Sequence, residues 1–164
     1  MNSDLAEIYD AHGDAMIAFL RNLAHCESDV RDVTQEIFCR LARDPALLAK
    51  ARNPRAFLLT MAYRMVVDMH RHAAVRERYA AGAVEIFAPA ATPDETLFRE
   101  SVAAAMRELP GEQRAVIHLK LWEALTFEEI AAALDLSPNT AASRYRYGID
   151  KLRTLLRPVY EDIL

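Results

Sequence analysis

TFEEIAAALDLSPNTAASRYRYGIDKL, residues 126–152, contains two helix starts in quick succession. Thr126-Phe127-Glu128-Glu129 is a T-x-x-E capping box, in which the threonine and glutamate side chains each satisfy a backbone N–H at the opening of a helix. Ser137-Pro138 pairs a good N-cap with the residue best suited to the first helical position. Asp135-Leu136-Ser137 is left as a three-residue turn. Two helices joined by a tight turn, the second rich in arginine, have helix-turn-helix geometry, in which the second helix enters the major groove of duplex DNA. With Ala141, Tyr145, Ile149 and Leu152 inward at helical spacing, Asn139, Thr140, Ser143, Arg144, Arg146 and Tyr147 lie wholly or partly outward. Arginine can read guanine, asparagine can read adenine, and Ser or Thr near a helix N-terminus can hold a phosphate. An ordinary α-hairpin is the alternative that this pattern alone leaves open. Small Ala141 one turn before large Tyr145 keeps the buried volume of that face constant. Gly148 costs about 1 kcal/mol relative to alanine in a helix interior, so it is expected to permit the close approach of another helix.

Upstream of this stretch the period stays helical. Thr92-Pro93-Asp94-Glu95 is a second capping box, followed by the apolar stripe Leu97, Val102, Ala105, Met106 and Leu109 and ended by Pro110-Gly111. A helix over 112–123 carries Val116, Ile117, Leu119, Leu121 and Trp122. Residues 80–92, with Gly82 and Pro89 and little charge, read as a flexible linker. Before it, one helix is apolar at Leu5, Ile8, Tyr9, His12, Met16, Phe19, Leu20 and Leu23. Ser28 is expected to cap the next, whose core face is Val30, Val33, Ile37, Phe38 and Leu41 and which ends at Asp44-Pro45. Asn53-Pro54 starts a third, with Phe57, Leu58, Met61, Ala62, Met65 and Met69 inward and Thr60, Tyr63, Arg64, Asp68 and Arg71 on the other side. The expectation is an all-α chain of two small helical domains, 1–79 and 93–164, joined by the linker 80–92.

The net charge of −4 conceals how charge is sorted along the chain. Residues 1–49 and 81–136 are acidic, whereas 50–80 hold Lys50, Arg52, Arg55, Arg64, Arg71, Arg76 and Arg78 against only Asp68 and Glu77, and 137–164 are again basic. Two basic blocks between two acidic ones suggest two separate polyanion-facing surfaces. The N-terminus is acidic where a signal peptide is basic and then apolar, and no apolar run approaches the length of a membrane span, so a cytoplasmic protein without membrane insertion is expected. Cys26 and Cys39 stand outside any C-x-x-C spacing and read as reduced packing residues; His25 beside Cys26 could be half of a metal site that nothing else completes. No metal, cofactor or catalytic residue is expected. An enzyme built on Cys26 or Cys39 would need a base and an orienting acid that fall nowhere together in the pattern.

The stretch "AMRELPGEQRAVIHLKLWEALTFEEIAAALDLSPNTAASRYRYGIDKLRTLL" resembles the C-terminal, −35-reading domain of the extracytoplasmic-function sigma factors of bacterial RNA polymerase. "DVTQEIF", 32–38, is similar to that family's D-L-V-Q-E-x-F helix, and "NPRAFLLTMAYRMVVDMHRH" to its P-R-x-[WF]-L…D-x-x-R helix. The likeness covers essentially the whole chain, in order. It implies a transcription initiation factor that binds core RNA polymerase, recognises −10 and −35 promoter elements and promotes melting, with no enzymatic activity of its own. Asp32, Gln35 and Glu36 would dock on the clamp coiled coil of the largest polymerase subunit. Lys50, Arg52, Asn53, Arg55, Tyr63, Arg64 and Arg71 would hold the single-stranded −10 element, and Asp68 could orient Arg71. The outward residues of the helix-turn-helix, with Lys151, would contact duplex −35 DNA. An anti-sigma factor is a further partner implied by family habit.

Departures from the family pattern fall at Arg64, where asparagine is usual, and at Ala142 and Tyr147, where cations are usual. Ala124 and Asp135 stand where the family has turn glycines; alanine tolerates the left-handed conformation poorly, so the turn at 124 is expected to be built differently. The rival reading is a stand-alone helix-turn-helix regulator with an N-terminal helical dimerisation or sensing domain, which would bind duplex DNA without polymerase.

Overall fold

The computed structural model describes residues 2–73 and 92–161. Nearly all of the expected linker, together with Arg76, Glu77 and Arg78 of the first basic block, lies outside these residues. Among the described residues every regular element is a helix, and the chain divides into two compact units, Met1–Val84 and Glu85–Leu164.

The N-terminal unit contains α1 (Asn2–Leu23), α2 (Glu27–Arg43), the single turn α3 (Ala46–Ala49) and α4 (Pro54–Ala73). Met16, Phe19, Leu20 and Leu23 of α1 meet Val30, Val33, Ile37 and Leu41 of α2 and Leu58, Leu59, Ala62 and Val66 of α4 in one buried core. Each large side chain buried in this way contributes about 1.5–3 kcal/mol. Arg21 closes the α1–α2 corner by pairing with Glu27 at 2.8 Å, and this partner holds the Glu27 carboxyl below its usual range.

Three local expectations are corrected. Ser28 does not cap α2: the capping position is Cys26, with extended backbone and no side-chain cap bond, and Ser28 lies within the first turn. Asp44-Pro45 does end α2, but the Asp44 carboxylate accepts from Ala46 N at 3.1 Å and starts α3, a turn too short to show periodicity. The buried stripe of α4 is rotated from the expected one, taking in Leu59 and Val66 while Phe57, Met61, Met65 and Met69 are only half-buried. Both neighbours of α4 lie on that side, and packing against two helices widens and shifts the apolar stripe.

The C-terminal unit contains α5 (Pro93–Arg107), α6 (Gly111–Leu121), α7 (Phe127–Leu134) and α8 (Pro138–Glu161). Ala105, Met106, Leu109, Ile117, Leu152 and Leu156 form its central cluster, with Val102, Tyr145, Ile149 and Val159 packed around them. Leu97, Leu121 and Trp122, expected in apolar stripes, are exposed; Leu97 lies near the start of α5, and the other two at the C-terminal end of α6. Thr92 accepts from Glu95 N at 3.2 Å, half of the expected capping box, whereas the Glu95 carboxylate pairs with Arg99.

Gly148 does allow a close approach. A Cβ there would lie 2.6 Å from Ile117 Cδ1 and 3.3 Å from Gln113 Cβ, so α6 and α8 touch almost backbone to side chain.

The turn at 124 corrects its expectation: Ala124 is left-handed at φ 53°, as is Asp135 at φ 56°. Leu125 N bonds Leu119 O at 3.1 Å and Lys120 Nζ donates to Leu125 O at 3.0 Å, so the reversal is fixed from both sides in spite of the alanine. Left-handed alanine costs about 1–2 kcal/mol, partly offset by the larger unfolded-state freedom of glycine. Ala124→Gly is therefore expected to stabilise the unit by up to about 1 kcal/mol, read as a higher midpoint in urea denaturation. An unchanged or lower midpoint would count against strain at this position.

Candidate nucleic-acid interface

The α7–α8 pair is built on its caps. Thr126 accepts from Glu129 N at 3.2 Å while Thr126 N donates to Glu129 Oε2 at 2.8 Å, the full reciprocal box. Asp135 ends α7 with Leu136 N bonded to Ala131 O at 3.0 Å, a left-handed helix stop that leaves room for Ser137 to start α8. Ser137 Oγ accepts from Thr140 N at 3.1 Å. Phe127 and Tyr145 meet edge to face with centroids 5.7 Å apart, and Ala141, one turn before Tyr145, is fully buried. The expected compensation of a small by a large residue on this face is thus present.

The expected −35 residues are placed unequally. Asn139, Thr140, Arg146 and Tyr147 are exposed at the start and on the outer side of α8. The Arg146 guanidinium sits 5.5 Å from the Tyr147 ring centroid, a cation–π contact that stiffens both. Ser143 is half-buried, and Thr140 Oγ1 already shares a hydrogen bond with Ser137 Oγ at 2.8 Å. Arg144 turns toward α6, where Nη2 meets Glu112 Oε2 at 2.8 Å with 26% of its side chain exposed. Lys151 Nζ donates to Glu108 O at 2.7 Å, tying α8 to the C-terminal end of α5, where the helix dipole favours a cation.

In the N-terminal unit, Lys50, Arg52 and Asn53 are exposed between α3 and α4, and Arg55 is exposed in the first turn of α4. Asn53 Oδ1 accepts from Ala56 N at 3.1 Å, so this residue caps α4 as well as facing out. Arg64 and Arg71, two turns apart, are exposed on α4, and Tyr63 is half-buried. Asp68 Oδ1 lies 3.9 Å from Arg71 Nη1, a loose contact on an exposed surface.

Asp32, Gln35 and Glu36 share one face of α2, the first two exposed and Glu36 half-covered. Arg40 Nε reaches Glu36 Oε1 at 2.8 Å and keeps the Glu36 carboxyl below its usual range. Gln35 lines an open groove of about 410 Å³ with Tyr9, Ile17, Val30, Thr34 and Phe38. Tyr9 and Phe38 meet edge to face in it at 5.2 Å. Tyr9 and Phe38, expected in the core, therefore form the wall of an outward groove.

Two residues escaped the sequence reading. Glu112 holds an arginine of the second helix from thirty-two positions away, and Arg40 holds an acid of the α2 face. An i, i+4 Glu–Arg spacing signals the second; no local pattern signals the first. His25 lies against His70 with ring centroids 4.2 Å apart, yet no group of three metal-ligating side chains occurs among the described residues. Cys26 and Cys39 are free thiols, both half-buried. No helix among the described residues is long and apolar enough to cross a membrane.

Comparison with known proteins gives these placements a context. The family described as Sigma-70 region 2 matches residues 8–76, and Sigma-70, region 4 matches residues 99–152. The ECF RNA polymerase sigma factor SigK of Mycobacterium sp. strain KMS is 30% identical over 158 residues, covering 92% of this chain and 82% of the relative. The chain belongs to the ECF sigma factors. SigL of Mycobacterium tuberculosis is 29% identical to this ECF sigma factor over 154 residues, covering 92% of this chain and 87% of that one. Two solved structures share the fold. The sigma factor RpoE of Bartonella quintana, crystallised with the anti-sigma factor NepR, has a TM-score of 0.71 at 18% identity, with 95% of this chain and 96% of that one covered. CnrH, solved with the cytosolic domain of CnrY, has a TM-score of 0.67 at 24% identity, with coverage of 96% and 90%. The helix-turn-helix is thus the region 4 part of an ECF sigma factor, and the stand-alone regulator reading is not favoured.

Proposed function

We propose that the two units divide the work of promoter recognition, residues 1–79 acting on core polymerase and the −10 element and residues 93–164 on the −35 element. As an alternative sigma factor the protein acts in transcription initiation. The phosphodiester chemistry belongs to the core enzyme, and a cytoplasmic location beside it is the reading that goes with this role. Asp32, Gln35 and Glu36 give a basic partner an acidic, hydrogen-bonding face on α2, suited to the largest-subunit clamp. Lys50, Arg52, Asn53 and Arg55 surround the entry to α4, and Tyr63, Arg64 and Arg71 continue along it, where cations can follow a displaced strand and an aromatic ring can stack on a base. Flipping a base costs a few kcal/mol, which a fitted pocket and phosphate contacts offset. In the other unit Asn139, Thr140, Ser143, Arg144, Arg146 and Tyr147 meet the duplex, and Lys151 reaches phosphate on leaving Glu108 O. The solved structure of RpoE in complex with the anti-sigma factor NepR supports an anti-sigma partner for this chain as well.

The observation that carries this reading is the capped α8, which presents Asn139, Arg146 and Tyr147 outward from a helix-turn-helix. Run-off transcription with purified core polymerase on a promoter library tests it. Arg146→Ala is expected to weaken transcription from a −35-dependent promoter about tenfold, the range expected for losing one base-reading arginine, with core binding unchanged. Loss of core binding instead would show that the docking surface has been misplaced.

A further inference from the structure

Arg144 lies in the reading helix, yet its guanidinium is held by a carboxylate of a different helix. Gly148, one turn later on the same side of α8, lets α8 approach α6 so closely that a Cβ would meet Gln113 at 3.3 Å. That approach brings Glu112, the neighbour of Gln113 in the first turn of α6, to 2.8 Å from Arg144 Nη2. The pair is asymmetric: the Arg144 side chain is 26% exposed and that of Glu112 is 62% exposed. The arginine is therefore largely covered while the acid faces water beside the second helix.

Building on the proposed −35 contact, we infer that Glu112 is a positioning residue that sets what Arg144 can read. An unrestrained arginine on a DNA-facing helix swings to the nearest phosphate, an interaction strong on every sequence and informative on none. With Nη2 held by Glu112, the guanidinium is fixed in orientation and offers only its remaining N–H groups. Recognition of a guanine edge requires such a fixed plane, whereas a phosphate contact does not. The exposed carboxylate also places a negative charge at the margin of the DNA face, which opposes phosphate held there by charge alone. Both effects act in one direction: Glu112 lowers binding to arbitrary duplex more than binding to the correct −35 sequence.

The test is a double-mutant cycle in the polymerase holoenzyme, with Glu112→Gln, Arg144→Ala and the pair of substitutions. Binding is measured to duplex promoter fragments carrying the preferred or a scrambled −35 element, across a series of salt concentrations. Glu112→Gln keeps the shape and removes the charge. It is expected to tighten binding to the scrambled fragment about three- to tenfold, to steepen the salt dependence by about one unit, and to leave the preferred fragment within about twofold. Specificity should fall accordingly, and the greater part of the effect should be lost in the Arg144→Ala background, leaving only the carboxylate's own repulsion of phosphate. A purely structural role for Glu112 would shift the melting midpoint and leave the salt slope alone. Glu112→Gln with an unchanged specificity ratio, or with an effect that simply adds to that of Arg144→Ala, overturns the inference while the −35 contact stands. If Arg144→Ala has no effect on −35-dependent binding, the contact itself is wrong and the inference falls with it.

Discussion

Replacing Gly148 with leucine is expected to leave the C-terminal unit largely unfolded near 37 °C, and replacing it with alanine to cost up to about 2 kcal/mol. Even the first added carbon would sit 2.6 Å from Ile117 Cδ1. Ile117 is fully buried in the cluster with Met106, Leu152 and Leu156, so its methyl group cannot withdraw without displacing them. Overpacking of this kind costs about 1–3 kcal/mol, whereas alanine recovers about 1 kcal/mol of helix propensity that glycine forgoes. Leucine adds further carbons with no space to take them, and a unit of this size has only about 5 kcal/mol in hand. The single tryptophan of the chain, Trp122, lies in this unit, so its fluorescence during urea denaturation of the full-length protein follows the affected unit. A Gly148→Ala midpoint equal to that of the parent would mean that Ile117 finds another rotamer at little cost, and the close α6–α8 contact would lose its importance.

What the sequence revealed well was local. Thr126 with Glu129, Ser137 with Pro138, Thr92 with Pro93 and Asn53 with Pro54 all open helices where expected, because a cap is a contact between residues three apart and needs no tertiary partner. The all-α class and the helix-turn-helix follow from those stops and starts. Gly148 was legible for a related reason: a glycine in a helix interior is costly enough to require a packing explanation. The alternation of charge pointed to more than one charged surface, though not to the pairs that form within them.

What it concealed depends on which neighbours arrive. The α4 stripe moved to Leu59 and Val66 because α1 and α2 both press on that side, and no one-dimensional period specifies the direction of a second neighbour. Tyr9 looked like core by spacing but lies in an open groove, since an aromatic ring at helical spacing fills a groove wall as readily as an interior. Ala124 adopts the left-handed conformation that its side chain disfavours because bonds on both sides of the turn over-determine it. In the reading helix, Arg144 and Arg146 are alike in sequence and differ in structure: one is anchored by Glu112 and the other stacks on Tyr147. Their roles on DNA should differ for that reason.

Alanine at Asp32, Gln35 and Glu36 together is expected to weaken binding to core polymerase about a hundredfold or more, consistent with the few central residues that carry most of an interface's free energy. All three lie on one face of α2, and none is needed for the α1–α2–α4 core, which is formed by Val30, Val33, Ile37 and Leu41 on the opposite side. Alanine is also the better helix former, so the melting midpoint should hold or rise slightly. A loss of binding therefore reports the surface and not the fold. The charges should act largely on the rate of encounter: removing two acids from a face that meets a basic partner lowers the association rate and flattens its dependence on salt, whereas loss of the Gln35 hydrogen bonds should appear in the dissociation rate. Glu36 is expected to contribute least on its own, because Arg40 already occupies its carboxylate and any incoming base must displace or share that partner. Association kinetics of the single and triple variants with core polymerase at two ionic strengths separate these contributions. A triple variant that binds core as tightly as the parent would move the docking surface elsewhere on the N-terminal unit, with the groove between Tyr9 and Phe38 the next face to test.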